Sequence, residues 1–300
     1  MKLIIENTVE QYEQLFSMKD KREQYFRYSM MSPFEKMWHT INVPLEAKSQ
    51  NGYDVIMATK MLGYLDVSDT QNGRLALKNF KEIQAIETAH TTLNTCIEFT
   101  HENDLKISAD ELRFGLYIAD QKKLELQKGY CGFGGIPGYI QITVFPNPYN
   151  IPKIPSLIAH EFHHNIRFSY FDWDHGNVTL GDYLIIEGLA ESFAKELYGE
   201  KSLGPWVTSF DQEDLEYSTE VIKDVFNIKG FAEVSSYMFG DEIAIKQGYQ
   251  SVGLSPFAGY AVGYKIVQSF MKNNNIGIGK ATLLGTDEIM NCSLSSRQWK

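Results

Sequence analysis

Cysteine is scarce in this 300-residue chain: Cys96, Cys131 and Cys292 are widely separated and odd in number. That pattern excludes a disulfide framework and any Cys-x-x-Cys metal pair, and it leads us to expect reduced thiols in the cytoplasm. Long apolar runs are missing as well. The longest stretch without Asp, Glu, Lys or Arg, from Gly129 to Pro152, is interrupted by five glycines and four prolines, so no membrane-spanning helix is expected. Near the amino terminus only Leu3, Ile4 and Ile5 run together before Glu6, too few for the apolar region of a signal peptide. Basic charge is also in deficit. With 28 Lys and Arg against 38 Asp and Glu, the formal net charge is −10, which leaves no basic footprint for phosphates and argues against a nucleic-acid ligand. What remains, 43% hydrophobic and 22% charged residues, is the composition of an ordinary globular protein able to bury a core.

The patterns along the chain point to an α+β, mostly helical fold. Residues 1–107 read as a helical amino-terminal region, with a charge-laced segment over Val9–Tyr28, apolar residues at three- and four-residue spacings over Tyr53–Leu65 and Leu75–Phe99, and a loop at Asp69–Gly73. Residues 108–300 form the second region. It opens with two period-two segments, Arg113–Ala119 and Tyr139–Phe145, the latter placing Ile140, Ile142 and Val144 on one face of a strand. Between them Gly129–Gly138 reads as a glycine-rich loop. Helices resume after Pro152.

One motif stands out. His160-Glu161-Phe162-His163-His164 fits His-Glu-x-x-His, just after Pro155, a residue suited to the first turn of a helix. At about 100° per residue, His164 lies about 40° and Glu161 about 100° from His160, so the three share one side of the helix. Ile158, Phe162 and Ile166 take the other side and are expected in the core. Two imidazoles under-coordinate zinc, so a third ligand must come from elsewhere. Glu187 and Glu191, one turn apart in a segment that Thr179 and Asp182 can start as a capping box and Gly199 can stop, are the candidates. Glu187 is read as the third ligand and Glu191 as the carboxylate that orients a ligand imidazole. Two solvated glutamates on a helix face is the structural alternative. His175 is an alternative third ligand, and His163, on the helix flank, is a packing residue or an outer partner of the site.

His160-Glu-Phe-His-His164 followed by Glu187-Gly-Leu-Ala-Glu191 resembles the gluzincin pattern, in which the third ligand is a Glu on the next helix. Together with Ile158-Ala159 and Gly259-Tyr-Ala-Val-Gly-Tyr264, these segments resemble the YjaZ-like family of predicted zinc-dependent proteases. The metzincin pattern does not fit, because Arg167 and Tyr170 stand where its Gly and His belong. The resemblance implies a zincin-like core over residues 108–300 and one zinc ion per chain. It also implies a peptide or protein substrate, with Glu161 as general base. It makes Tyr139–Phe145 an edge strand along the cleft, with Ile140, Ile142 and Val144 meeting substrate; an interior strand is the alternative. It places an oxyanion donor at Tyr264 or Tyr260, against the alternative that both are core residues. A catalytically idle zinc protein that binds peptides, and a hydrolase of non-peptide amides or esters, share the same residues.

Overall fold

A computed structural model describes residues 1–49, 52–174 and 176–294, the last three without their side chains. It shows an α+β chain with a four-stranded mixed sheet of order β1-β2-β4-β3. The strands are β1 (Lys2–Ile5), β2 (Glu111–Ile118), β3 (Tyr130–Ile136) and β4 (Tyr139–Val144). The helices that matter below are α1 (Thr8–Ser17), α2 (Thr70–Glu82), α3 (Ala85–Glu102), α4 (Ile154–Arg167), α5 (Leu180–Tyr198) and α6 (Ala258–Asn274). By its contacts the chain forms two compact units, Met1–Thr95 with Ile107–Asn165, and Cys96–Lys106 with Ile166–Lys300.

The first unit holds the sheet. β1 pairs parallel with β2, β2 parallel with β4, and β4 antiparallel with β3. The amino-terminal region expected to be helical thus supplies a strand, four residues whose partner lies more than 100 positions away (Lys2 opposite Glu111). Both interior strands are buried on both faces. Phe114, Leu116, Tyr117 and Ile118 on β2 have no solvent exposure, and neither do Ile140, Ile142 and Val144 on β4. The polar residues of β4 are absorbed into the core: Tyr64 Oη donates to Gln141 Oε1 at 2.9 Å.

Three sequence expectations change here. β4 is an interior strand with a partner on each side, so Ile140, Ile142 and Val144 are core residues and have no edge from which to meet substrate. The glycine-rich segment is a strand, β3, and β3 takes the edge position. The expected loop at Asp69–Gly73 is the start of α2, where Asp69 caps the helix by accepting from Asn72 N at 3.1 Å. Gly73 sits inside that helix because a Cβ there would fall 2.2 Å from Phe16 Cζ of α1.

The second unit is built around the pair α5 and α6. The expected capping box forms: Asp182 N donates to Thr179 Oγ1 at 3.0 Å and Thr179 N to Asp182 Oδ2 at 3.3 Å. Gly199 closes the helix at φ 79°. At the start of α6, Phe257, in the left-handed region, precedes the helix, and Ser255 Oγ donates to Asp214 Oδ1. The two helices touch backbone to backbone. A Cβ on Gly188 would lie 2.3 Å from Gly263 O, and one on Gly263 would lie 2.2 Å from Leu184 O. Backbone atoms cannot step aside as a flexible side chain can, so Gly263→Ala must separate the helices. We expect a loss of about 1–3 kcal/mol or more, as for overpacked cores, read as a lower denaturant midpoint. An unchanged midpoint would show that the helices have slack.

Candidate metal centre

α4 carries His160, Glu161, His163 and His164, with Pro155 in its first turn as expected. Ile158, Phe162 and Ile166 are fully buried, which fixes the apolar side of the helix. The opposite side is buried too: His160, Glu161 and His164 are each no more than 7% exposed, and His163 not at all. A surface helix with solvated histidines is therefore excluded. The rings of His160 and His164 stand nearly perpendicular, centroids 4.9 Å apart.

On α5, Glu187 is 7% and Glu191 2% exposed, which excludes the reading of two solvated glutamates. A buried carboxylate needs hydrogen-bond donors or a cation to offset its lost hydration. Glu191 accepts from Gly204 N through Oε1 and from Trp206 Nε1 through Oε2, both at 2.9 Å. His160, His164 and Glu187 offer ligand atoms that all lie within 4.8 Å of one another. Two imidazole nitrogens and one carboxylate oxygen, withdrawn from water, make a donor set that suits zinc. His175 lies outside the described residues.

Around Glu161 the geometry is set by glycine. A Cβ on Gly132 would come within 2.5 Å of Glu161 Cγ and 2.6 Å of Oε1, and one on Gly134 within 2.0 Å of Glu161 O. The bare backbone of β3 therefore lies directly on Glu161, a relation invisible while the segment reads as a loop. Because Gly132 opposes Ile142 and opposed residues point to the same face, Ile140, Ile142 and Val144 lie on the face of the sheet turned toward Glu161. Neighbouring Cys131 has its thiol pushed up to about 12 by burial, with the charge of Glu161 adding to the rise. It stays protonated at neutral pH and is no nucleophile.

A family model described as "Predicted Zn-dependent protease" (DUF2268) matches residues 85–291. The chain belongs to the DUF2268 family. Among curated proteins, "Uncharacterized protein YjfC" of Bacillus subtilis is 61% identical over 298 residues, covering 99% of this chain and 100% of that protein. "Uncharacterized protein YjaZ" of the same organism is 30% identical over 121 residues, 40% of this chain and 42% of that one. No solved structure matches the chain. The DUF2268 match spans α4, α5 and α6, and so includes every candidate site residue. No helix among the described residues is long and apolar enough to cross a membrane.

The two tyrosines of α6 have different surroundings. Tyr260 packs between Phe239 and Phe257, ring centroids 6.0 and 5.8 Å away. The Tyr264 hydroxyl is shielded from solvent and has no hydrogen-bond partner among the described residues. Burial, then the charges of Glu200 and Glu191, hold its pKa well above the usual phenol value. Tyr264 therefore remains a hydrogen-bond donor throughout the neutral range.

Proposed function

We infer that the protein is a zinc-dependent peptidase with a zincin-like core, and that His160, His164 and Glu187 hold one zinc ion per chain. The observation that carries this reading is the buried convergence of those three side chains beside Glu161, in a family described as predicted Zn-dependent proteases. When bound, the ion supplies Lewis acidity that lowers the pKa of a water toward ~7 and polarises a carbonyl.

The remaining steps fall to the chain. Glu161 accepts the proton of the attacking water and returns it to the nitrogen of the leaving amine. Its carboxylate meets the β3 backbone at Gly132, so a peptide paired with the outer side of β3 brings its main chain to the base. Such pairing suits peptides of any sequence, because each offers the same donors and acceptors. This favours peptide over other amide substrates. Tyr264, a donor without a partner among the described residues, is our candidate for the group that steadies the developing oxyanion, ahead of Tyr260, which packs against Phe239 and Phe257. Glu191 and His163 hold the ligand side chains in orientation. Thiols without a disulfide at Cys96 and Cys131 support a cytoplasmic setting.

The test is hydrolysis of a mixed library of unstructured peptides. We expect cleavage products by mass spectrometry, their loss after chelation, and recovery on adding stoichiometric zinc. Recovery of the library intact by the zinc-loaded protein would favour a peptide-binding protein that does not turn over.

A further inference from the structure

Asn165 has no place in the mechanism above, yet its side chain makes the connection between the active-site helix and the edge strand. It lies one turn after Glu161 on α4 and is fully buried. Its Oδ1 accepts from Gly138 N at 2.7 Å. Its Nδ2 donates to Gly134 O at 2.8 Å and Tyr139 O at 3.1 Å, and reaches Glu161 O at 3.5 Å. Asparagine is a poor helix former, and one fully buried in the last turn of α4 with its amide directed at another segment points to a tertiary task.

The segment it holds needs holding. Phe133 pairs with Gln141 and Ile136 with Tyr139, so three steps along β3 match two along β4. The extra residue falls at Gly134-Gly135, a bulge that interrupts the ladder. Glycine backbone is the least constrained of all, and a bulged glycine edge strand would drift without an external bond. Asn165 bonds Gly134 within the bulge and Gly138 and Tyr139 just beyond it. It thereby fixes the strand at the point where the strand rests on Glu161.

We propose that Asn165 is a positioning residue that locks the bulged tip of β3 onto α4, so that the outer edge of β3 meets a peptide main chain in one register relative to Glu161. The proposal rests on the peptidase reading. Its signature is a defect in binding extended substrate with little change in the chemical step, since neither Glu161 nor a ligand is altered.

The test uses the full zinc-loaded chain and Asn165→Leu, which keeps the branched shape and removes both donor and acceptor. Amide hydrogen exchange over residues 130–139 is measured alongside steady-state kinetics on oxidised insulin B chain, an extended peptide. We expect about tenfold faster exchange in that hairpin and a KM raised about tenfold, with kcat within about threefold, as loss of buried hydrogen bonds should give. Should Asn165→Leu fold poorly, Asn165→Ala removes the same hydrogen bonds to Gly134, Gly138 and Tyr139 without added bulk, and the same KM rise is expected. An unchanged KM with cleavage intact, or a fall in kcat at constant KM, would overturn the positioning role alone. A wild-type protein that neither binds nor cleaves the peptide would overturn the peptidase reading and this inference with it.

Discussion

Glu161→Gln is expected to keep its zinc and lose hydrolysis by about 10²–10⁴-fold, the usual contribution of a positioned general base. The substitution is close to isosteric. Gly132 leaves clearance for the side chain at this position, and an amide occupies the same space as the carboxylate, so the helix and strand need not move. What disappears is the proton acceptor. Stability should hold or rise, because replacing a 6% exposed carboxylate by a neutral amide removes a desolvated charge. Activity lost at equal or higher stability is the mark of a group kept for chemistry. Measuring kcat/KM, zinc content and denaturant midpoint on the same preparation checks the account; a Glu161→Gln protein as active as wild type would remove Glu161 from the mechanism.

Glu187→Ala should weaken zinc binding by more than about a hundredfold. Loss of a partner that only orients a ligand costs about 10–100-fold, and loss of a ligand costs more. The remaining pair, His160 and His164, carries no charge to offset that of the ion. Linkage offers a second reading of the same change: zinc should raise the midpoint of wild type and leave that of Glu187→Ala nearly unchanged. Competition with a chromophoric chelator gives the affinity directly. Equal affinity in both proteins would take Glu187 out of the ligand set.

Much of this site could be read from the sequence because its signals are local. His160, Glu161 and His164 declare themselves by helical spacing, and Thr179, Asp182 and Gly199 mark the ends of the helix that bears Glu187. The contacts that complete the site are tertiary and leave weaker traces. β3 is hidden because its glycines, which look like loop composition, are required by the approach of Glu161 to Gly132 and Gly134. β4 looks solvent-facing on one side because Gln141 and Thr143 are polar, yet Gln141 Oε1 accepts from Tyr64 in the interior, and Ile140, Ile142 and Val144 lose their expected contact with substrate. β1 escapes notice because four residues carry little periodicity. Asn165 left one available clue, an asparagine beside the buried Ile166 in the last turn of α4, whose meaning depended on where the hairpin of β3 and β4 would lie.

The central claim is a single zinc ion held by His160, His164 and Glu187, and the most direct test is metal content with X-ray absorption at the zinc edge, on full-length protein purified without a metal-affinity tag. About one zinc per chain is expected, with a first shell of nitrogen and oxygen that includes two imidazoles. A protein that takes up no zinc even when it is supplied, or a shell containing sulfur, would contradict it.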